Sequence, residues 1–255
     1  MKKVFLFLAI GGSFLASCNK DKDDSNIFKG PEVTVHEGKA WTWIQLSKDG
    51  NPERVGVTIN DKALNSVPTD DGSGGGHDHS NNITLPFHPK ASATPFKHVW
   101  LNWNPAGHPP ANVYTKPHFD IHYYTVESAT RDGYVDPVKL DASPAADYIP
   151  ANHVGADPVP TMGKHFVDIT SPELNPNNPQ PFTQTFIYGS YDSKVVFYEP
   201  MITLEFLKTA NNFERSIPQP AKFQQSGYYP TKMRVVKHDK VTEIILDGMV
   251  YRQAS

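Results

Sequence analysis

Short runs in which apolar, aromatic and β-branched residues alternate with polar ones recur along most of the chain, separated by prolines and glycines. A period of two predicts strands rather than helices. Ala40 to Leu46 and Val55 to Ile59 read as a hairpin around the turn Asp49-Gly50-Asn51-Pro52. Asp61 is expected to cap a short helix from Lys62 to Val67, stopped by Pro68. His98 to Trp103 and Pro117 to Val126 read as strands, and Met162 to Asp168 as a short extended piece. Thr183 to Tyr188 and Lys194 to Glu199 flank the turn-like Gly189 to Ser193 as a second hairpin. Pro200 opens a predicted helix in which Met201, Leu204 and Leu207 share a face through Lys208. Two late strands, Met233 to Lys237 and Val241 to Tyr251, close the series. Thr69 to Asn82 reads as a polar, Gly-rich loop, and Asp132 to Asp157 as proline-rich and irregular.

The first residues follow a different grammar. Met1-Lys2-Lys3 precedes the apolar run Val4 to Ile10, and Leu15-Ala16-Ser17-Cys18 resembles a bacterial lipobox. The run is shorter than the roughly 20 apolar residues a membrane-spanning helix needs. The expectation is a lipoprotein signal peptide over 1–17 and lipidation at Cys18, the chain's single cysteine. A flexible tether is expected over 18–37, beginning with the charged Asn19 to Asn26. The predicted location is the bacterial envelope, at the outer membrane or cell surface. The predicted partner is the membrane, reached through the lipid anchor.

Composition narrows the fold and excludes some partners. Twenty-three prolines in 255 residues disfavour long helices. With one cysteine there is no intrachain disulfide, so an exported domain relies on its core, a metal or partners. A formal net charge of −3 with interspersed signs supplies no basic patch, so nucleic acid is not an expected partner. No linker splits residues 38–255. The predicted fold is a single mainly-β domain, an antiparallel sandwich or barrel-like sheet with short helices and long Pro-rich loops.

The stretch His118-x-Asp120-x-His122 carries the most chemistry. Alternate strand residues share a face, so all three side chains point the same way. On a straight strand His118 and His122 stand about 13 Å apart, near the limit for one shared ion. A bend, or Asp120 as a bridging or orienting carboxylate, would close that gap. With His165 and Glu199 they make three imidazoles and a carboxylate, a set suited to zinc, manganese or iron with room for water. Asp120, Asp168 and His108 are candidate alternative ligands or supporting groups, with Asp120 or Asp168 as a base. His77-Asp78-His79 lies in the Gly-rich loop, where ordering costs too much entropy for a first choice.

Other chemistries have less support. GxSxG, P-loop and dinucleotide-binding glycine motifs are absent. Paired acids for glycoside cleavage stay open, since spacing along the chain says little about spacing in the fold. The pairs Trp41/Trp43 and Trp100/Trp103 are expected to build buried sheet faces rather than a sugar-stacking platform. The function read from these residues is a divalent-metal domain, with catalysis undecided. The alternative is a non-enzymatic module with structural histidines that binds glycan or its own copies.

Several longer stretches point to a family. They include Trp43-Ile44-Gln45-Leu46 with Asp49-Gly50-x-Pro52, and Asn102-Trp103-Asn104-Pro105-x-Gly107-His108-Pro109-Pro110. They continue with Pro117 to Tyr124, Met162-Gly163-x-His165-Phe166-Val167-Asp168, Phe182 to Asp192, and Phe197 to Thr203. Together these resemble a family of exported bacterial domains of unassigned function, typified by a ring-forming Thermus protein. The resemblance implies a mainly-β domain and a homo-oligomer, with a metal at His118, His122, His165 and Glu199. Ser193 departs from the pattern, which usually has glycine in that turn.

Overall fold

The computed structural model describes residues 26–69 and 81–255. The signal segment, Cys18, the start of the tether and His77-Asp78-His79 lie outside them. In chain order the strands are β1 (Ile27–Lys29), β2 (Val33–Val35), β3 (Gly38–Leu46), β4 (Pro52–Asn60), β5 (Asn82–Pro86) and β6 (His98–Asn104). There follow β7 (His118–Tyr124), β8 (His153–Val159), β9 (Gly163–Asp168), β10 (Gln184–Tyr191) and β11 (Lys194–Thr203). The last are β12 (Phe213–Ser216), β13 (Gly227–Tyr229), β14 (Lys232–His238), β15 (Val241–Asp247) and β16 (Val250–Arg252). Short helices α1 (Asp61–Asn65), α2 (Ser128–Asp132), α3 (Pro137–Asp141) and α4 (Leu204–Thr209) sit between them.

The strands make two seven-stranded antiparallel sheets. The first runs β1-β3-β4-β15-β14-β12, with β2 also paired to β3. The second runs β5-β6-β7-β11-β10-β9-β8, and β13 and β16 form a small third sheet. One apolar cluster joins Ile44, Val55, Val57 and Ile244 of the first sheet to Leu101, Phe119, Ile121 and Ile202 of the second. The Tyr123 hydroxyl crosses between the sheets, donating to the Ile244 carbonyl at 3.3 Å. The fold is therefore mainly β, with the sheets face to face and no closed barrel.

Several elements depart from expectation. Residues 27–35 were expected in the tether, yet β1 and β2 pair with β3, Val35 is fully buried and Phe28 packs on the core. The first helix, Asp61–Asn65, starts one residue earlier and ends two residues earlier than expected. Its cap is Asn60, whose side-chain oxygen accepts from Ala63 N at 2.9 Å, rather than Asp61. The irregular stretch after Asp132 contains α3 and β8. Asp136 accepts from the amides of Val138 and Lys139, with Pro137 opening that helix. The final strand is broken at Gly248, at φ +63, into β15 and β16. Pro200 does not open a helix. Strand β11 runs through it to Thr203, and the helix begins only at Leu204, where the Thr203 hydroxyl accepts from Phe206 N.

That extension of β11 matters for function. Strand β11 lies between β7 and β10, and every residue of β6 and β7 is buried. The second sheet is therefore buried on both faces at β6 and β7. One packs on the first sheet, and the other lies under the loops and helices around α2, α3 and residues 105–117. Two smaller apolar clusters cover parts of this outer face. One contains Trp100, Tyr124, Tyr134, Leu140, Met162 and Phe197; the other contains Tyr114, Phe182, Ile187 and Met201. Polar groups run between them.

Candidate metal centre

Strand alternation places His118, Asp120, His122 and Tyr124 of β7 on the outer face, opposite Asn104, Asn102, Trp100 and His98 of β6. On the other side, Met201 pairs with Asp120 and Thr203 with His118. The same register sets Glu199 across from His122. The ladder skips Glu199 and Pro200, where proline has no N–H to contribute. His165 arrives from β9, which pairs with β10 at Gly189.

Gly189 makes room for this arrangement. A Cβ there would lie within 2.3 Å of three Phe197 ring atoms, so only glycine lets that ring lie across the sheet. The Phe197 ring then packs against both His122 and His165, at centroid distances of 4.9 and 5.0 Å. Gly107, at φ +69, does the equivalent job in the loop after β6. A Cβ there would come within 2.1 Å of the Tyr114 carbonyl, which accepts from His108 N at 2.9 Å. The tight closure directs His108 back over β7.

Six side chains form two groups, each with ligand atoms within 4.8 Å of one another: His108, His118 and Asp120, then His122, His165 and Glu199. The four residues expected to share one ion are therefore divided. His122, His165 and Glu199 come together, and His118 groups with two of the residues named as alternatives, Asp120 and His108. Asp168 is in neither group. Its Oδ1 accepts from the amide and hydroxyl of Thr170, closing a turn after β9.

In the first group, His118 Nδ1 lies 2.6 Å from the Lys116 carbonyl, and His108 Nδ1 lies 2.7 Å from that of Pro109. A carbonyl only accepts, so each ring carries its proton on Nδ1 and turns Nε2 toward Asp120. These Nε2 atoms stand 3.1 and 3.3 Å from the two carboxylate oxygens. Asp120 Oδ2 also accepts from Asn104 Nδ2 at 2.8 Å. Burial alone would raise the Asp120 pKa, but the adjoining His118 and His108 hold it well below the usual carboxylate range. For His108, burial opposes the charged ring, and the Asp120 carboxylate overrides that and raises the pKa.

In the second group, the Nε2 atoms of His122 and His165 stand 3.4 and 3.7 Å from Glu199 Oε2. Burial, and then the charge on Asp120, push the Glu199 carboxyl well above its ordinary range. Two carboxyls on neighbouring strands are thus driven in opposite directions.

A cleft of about 790 Å³ opens over both groups, within the range of small-molecule sites. Its walls include His108, Tyr114, Lys164, His165, Glu199 and Met201. Sequence reasoning did not single out Tyr114, which is 1% exposed with its hydroxyl lacking a hydrogen-bond partner. An isolated aromatic in the loop Asn112-Val113-Tyr114 was the available signal. The tryptophans do not form a platform. Trp43, Trp100 and Trp103 are buried, and Arg131 covers Trp100 at 3.8 Å from the ring centre.

Residues 47–103 match the model of the TTHB210-like family, described as Hypothetical protein TTHB210. The match agrees with the family that the sequence motifs resemble. The matched span covers β4 to β6 and stops short of all six candidate ligands, so the TTHB210-like match bears on the fold rather than on the site. No curated protein and no solved structure matches the chain.

Proposed function

We propose that the chain is an envelope-anchored metalloprotein whose His122, His165 and Glu199 hold a divalent ion with one coordination position open to the cleft. The spacing of the ligand atoms carries this reading. Tetrahedral bonds of about 2.0–2.1 Å put neighbouring ligands about 3.3–3.4 Å apart. His122 and His165 stand 3.4 and 3.7 Å from Glu199 Oε2. Charge-assisted hydrogen bonds would be shorter, about 2.7–2.9 Å. Glu199 Oε2 is buried and accepts no hydrogen bond, which is costly in the absence of a cation.

Three protein ligands beside an open cleft are the pattern of an exchangeable site rather than a closed structural one. The ion supplies Lewis acidity toward a bound water or small ligand. Glu199 and the two imidazoles fix its position, Phe197 keeps bulk water from one side, and the Tyr114 hydroxyl and Lys164 ammonium offer donors along the wall. Zinc, manganese and iron all suit two nitrogens and a carboxylate. The envelope location rests on the lipobox-like Leu15 to Cys18. Detergent-phase partitioning that persists in Cys18→Ser would refute it.

Elemental analysis of the untagged full chain, purified without added metal, tests the centre. A stoichiometric ion that is lost in His165→Ala and in Glu199→Gln is the expected result. No ion, with both variants as stable as the parent, would contradict it and leave a binding or assembly module with structural histidines.

A further inference from the structure

We propose that His108, His118 and Asp120 hold a second divalent ion, separate from the one at Glu199, which clamps the loop after β6 onto β7. The inference extends the metal reading to a new set of ligands but stands on its own geometry. His118 is fully buried and Asp120 is 1% exposed. Their facing atoms, Nε2 and Oδ1, lie 3.1 Å apart, but not in the alignment of a hydrogen bond. The N–H of a protonated imidazole would aim along the line to the oxygen. Here His108, His118 and Asp120 instead bring one ligand atom each within 4.8 Å of one another, a spacing that a shared ion can bridge. The two Nδ1 protons are already committed to the carbonyls of Lys116 and Pro109. That is how metal-bound histidines are oriented, with the far nitrogen presented to the ion.

The alternative without metal puts two imidazolium rings around one carboxylate in a dry interior. It leaves a net buried charge with no solvent to screen it. An ion coordinated by His108 Nε2, His118 Nε2 and Asp120 satisfies all three groups at once. Asn104, which donates to Asp120 Oδ2 at 2.8 Å, then orients the carboxylate from the side.

Separate ions follow from the strand. Asp120 and His122 are two residues apart, about 6.7 Å on an extended strand. Metals sharing a bridging ligand sit about 3.5–4 Å apart. No residue belongs to both groups, so each ion is expected to be lost without the other.

The second ion has a structural task that the first lacks. Between Ala106 and Pro117, His108 and Tyr114 are among the few buried residues, while Pro109 to Asn112 are exposed. Bonding His108 to β7 through a metal fixes the loop that forms one wall of the cleft. Its donors, two imidazoles and a carboxylate, again suit zinc, manganese or iron.

Ion counting on the untagged full chain, with hydrogen exchange over residues 106–116, tests the proposal. The parent is expected to hold about two ions per chain. Asp120→Asn, nearly isosteric and therefore expected to fold, and His118→Gln should each retain about one and speed exchange in that segment at least tenfold. His165→Ala should also retain about one, with the 106–116 segment as slow as in the parent. One ion in the parent, lost in His165→Ala but kept in Asp120→Asn with unchanged exchange, would overturn the second site and leave the Glu199 centre standing. No ion in the parent would overturn both.

Discussion

The two faces of the second sheet are made by the same strands and could hardly differ more. On β7, Phe119, Ile121 and Tyr123 point to the first sheet and join the main core. His118, Asp120 and His122 alternate with them and point the other way, yet are as deeply buried. In an ordinary sandwich the outward face is wet, and alternation of apolar with polar residues needs no further cause. Here both faces are buried at β6 and β7. A row of imidazoles and carboxylates in such a place must be neutralised by one another or by cations. The inner face builds the main core, and the outer face holds the candidate ligands.

Truncating the inner face should have the largest effect. Phe119→Ala is expected to destabilise by about 3–5 kcal/mol. Equilibrium unfolding in urea should show the same loss with and without chelator. A loss that appears only when metal is present would mean that the two faces are not separable.

A smaller effect should expose the cost of the outer face directly. His98, stacked on Tyr124 at 5.0 Å, has its pKa lowered to about 4 by burial and by the Arg131 charge, with Asp132 partly opposing. The folded state therefore keeps the ring neutral where the unfolded chain, near 6.5, takes up a proton. Stability is full above about pH 6.5 and falls as the pH drops toward 4, by on the order of 2–3 kcal/mol from this residue. His98→Phe should flatten that part of the stability–pH curve in metal-free protein. An unchanged slope would remove His98 from the account.

Much of this contrast was legible in the sequence. The alternation in His118 to Tyr124 fixed which side chains share a face, and the aromatic residues between them marked the core. What alternation cannot tell is whether the outward face is covered. That depends on loops whose closure rests on single residues, such as Gly107 returning His108 to Asp120. Glu199 was expected at the end of its strand, just ahead of a helix, and the strand instead runs on to Thr203. Pro200 normally ends a strand, and here it occupies a gap in the ladder, leaving Glu199 in mid-sheet beside His122. The helix signal Asp136-Pro137 was present and was outweighed by the prolines around it.

The smallest effect lies outside both faces. Asp192 and Ser193, at φ +52 and +60, join β10 to β11 with the two left-handed residues of a tight hairpin turn. Glycine adopts that conformation without the Cβ penalty, about 1 kcal/mol or more for other residues. Ser193→Gly should raise stability by up to about 1 kcal/mol with no change in ion content. A shift that depends on metal would link the hairpin to the centre.

Thermal unfolding of one preparation, stripped with chelator and then titrated with zinc, reaches the central claim in a single experiment. The account predicts a midpoint that climbs with zinc and saturates, as binding to the folded state alone requires, and a markedly smaller climb in Glu199→Gln. A midpoint indifferent to zinc across the titration would mean that the buried imidazoles and carboxylates neutralise one another, and that no ion belongs there.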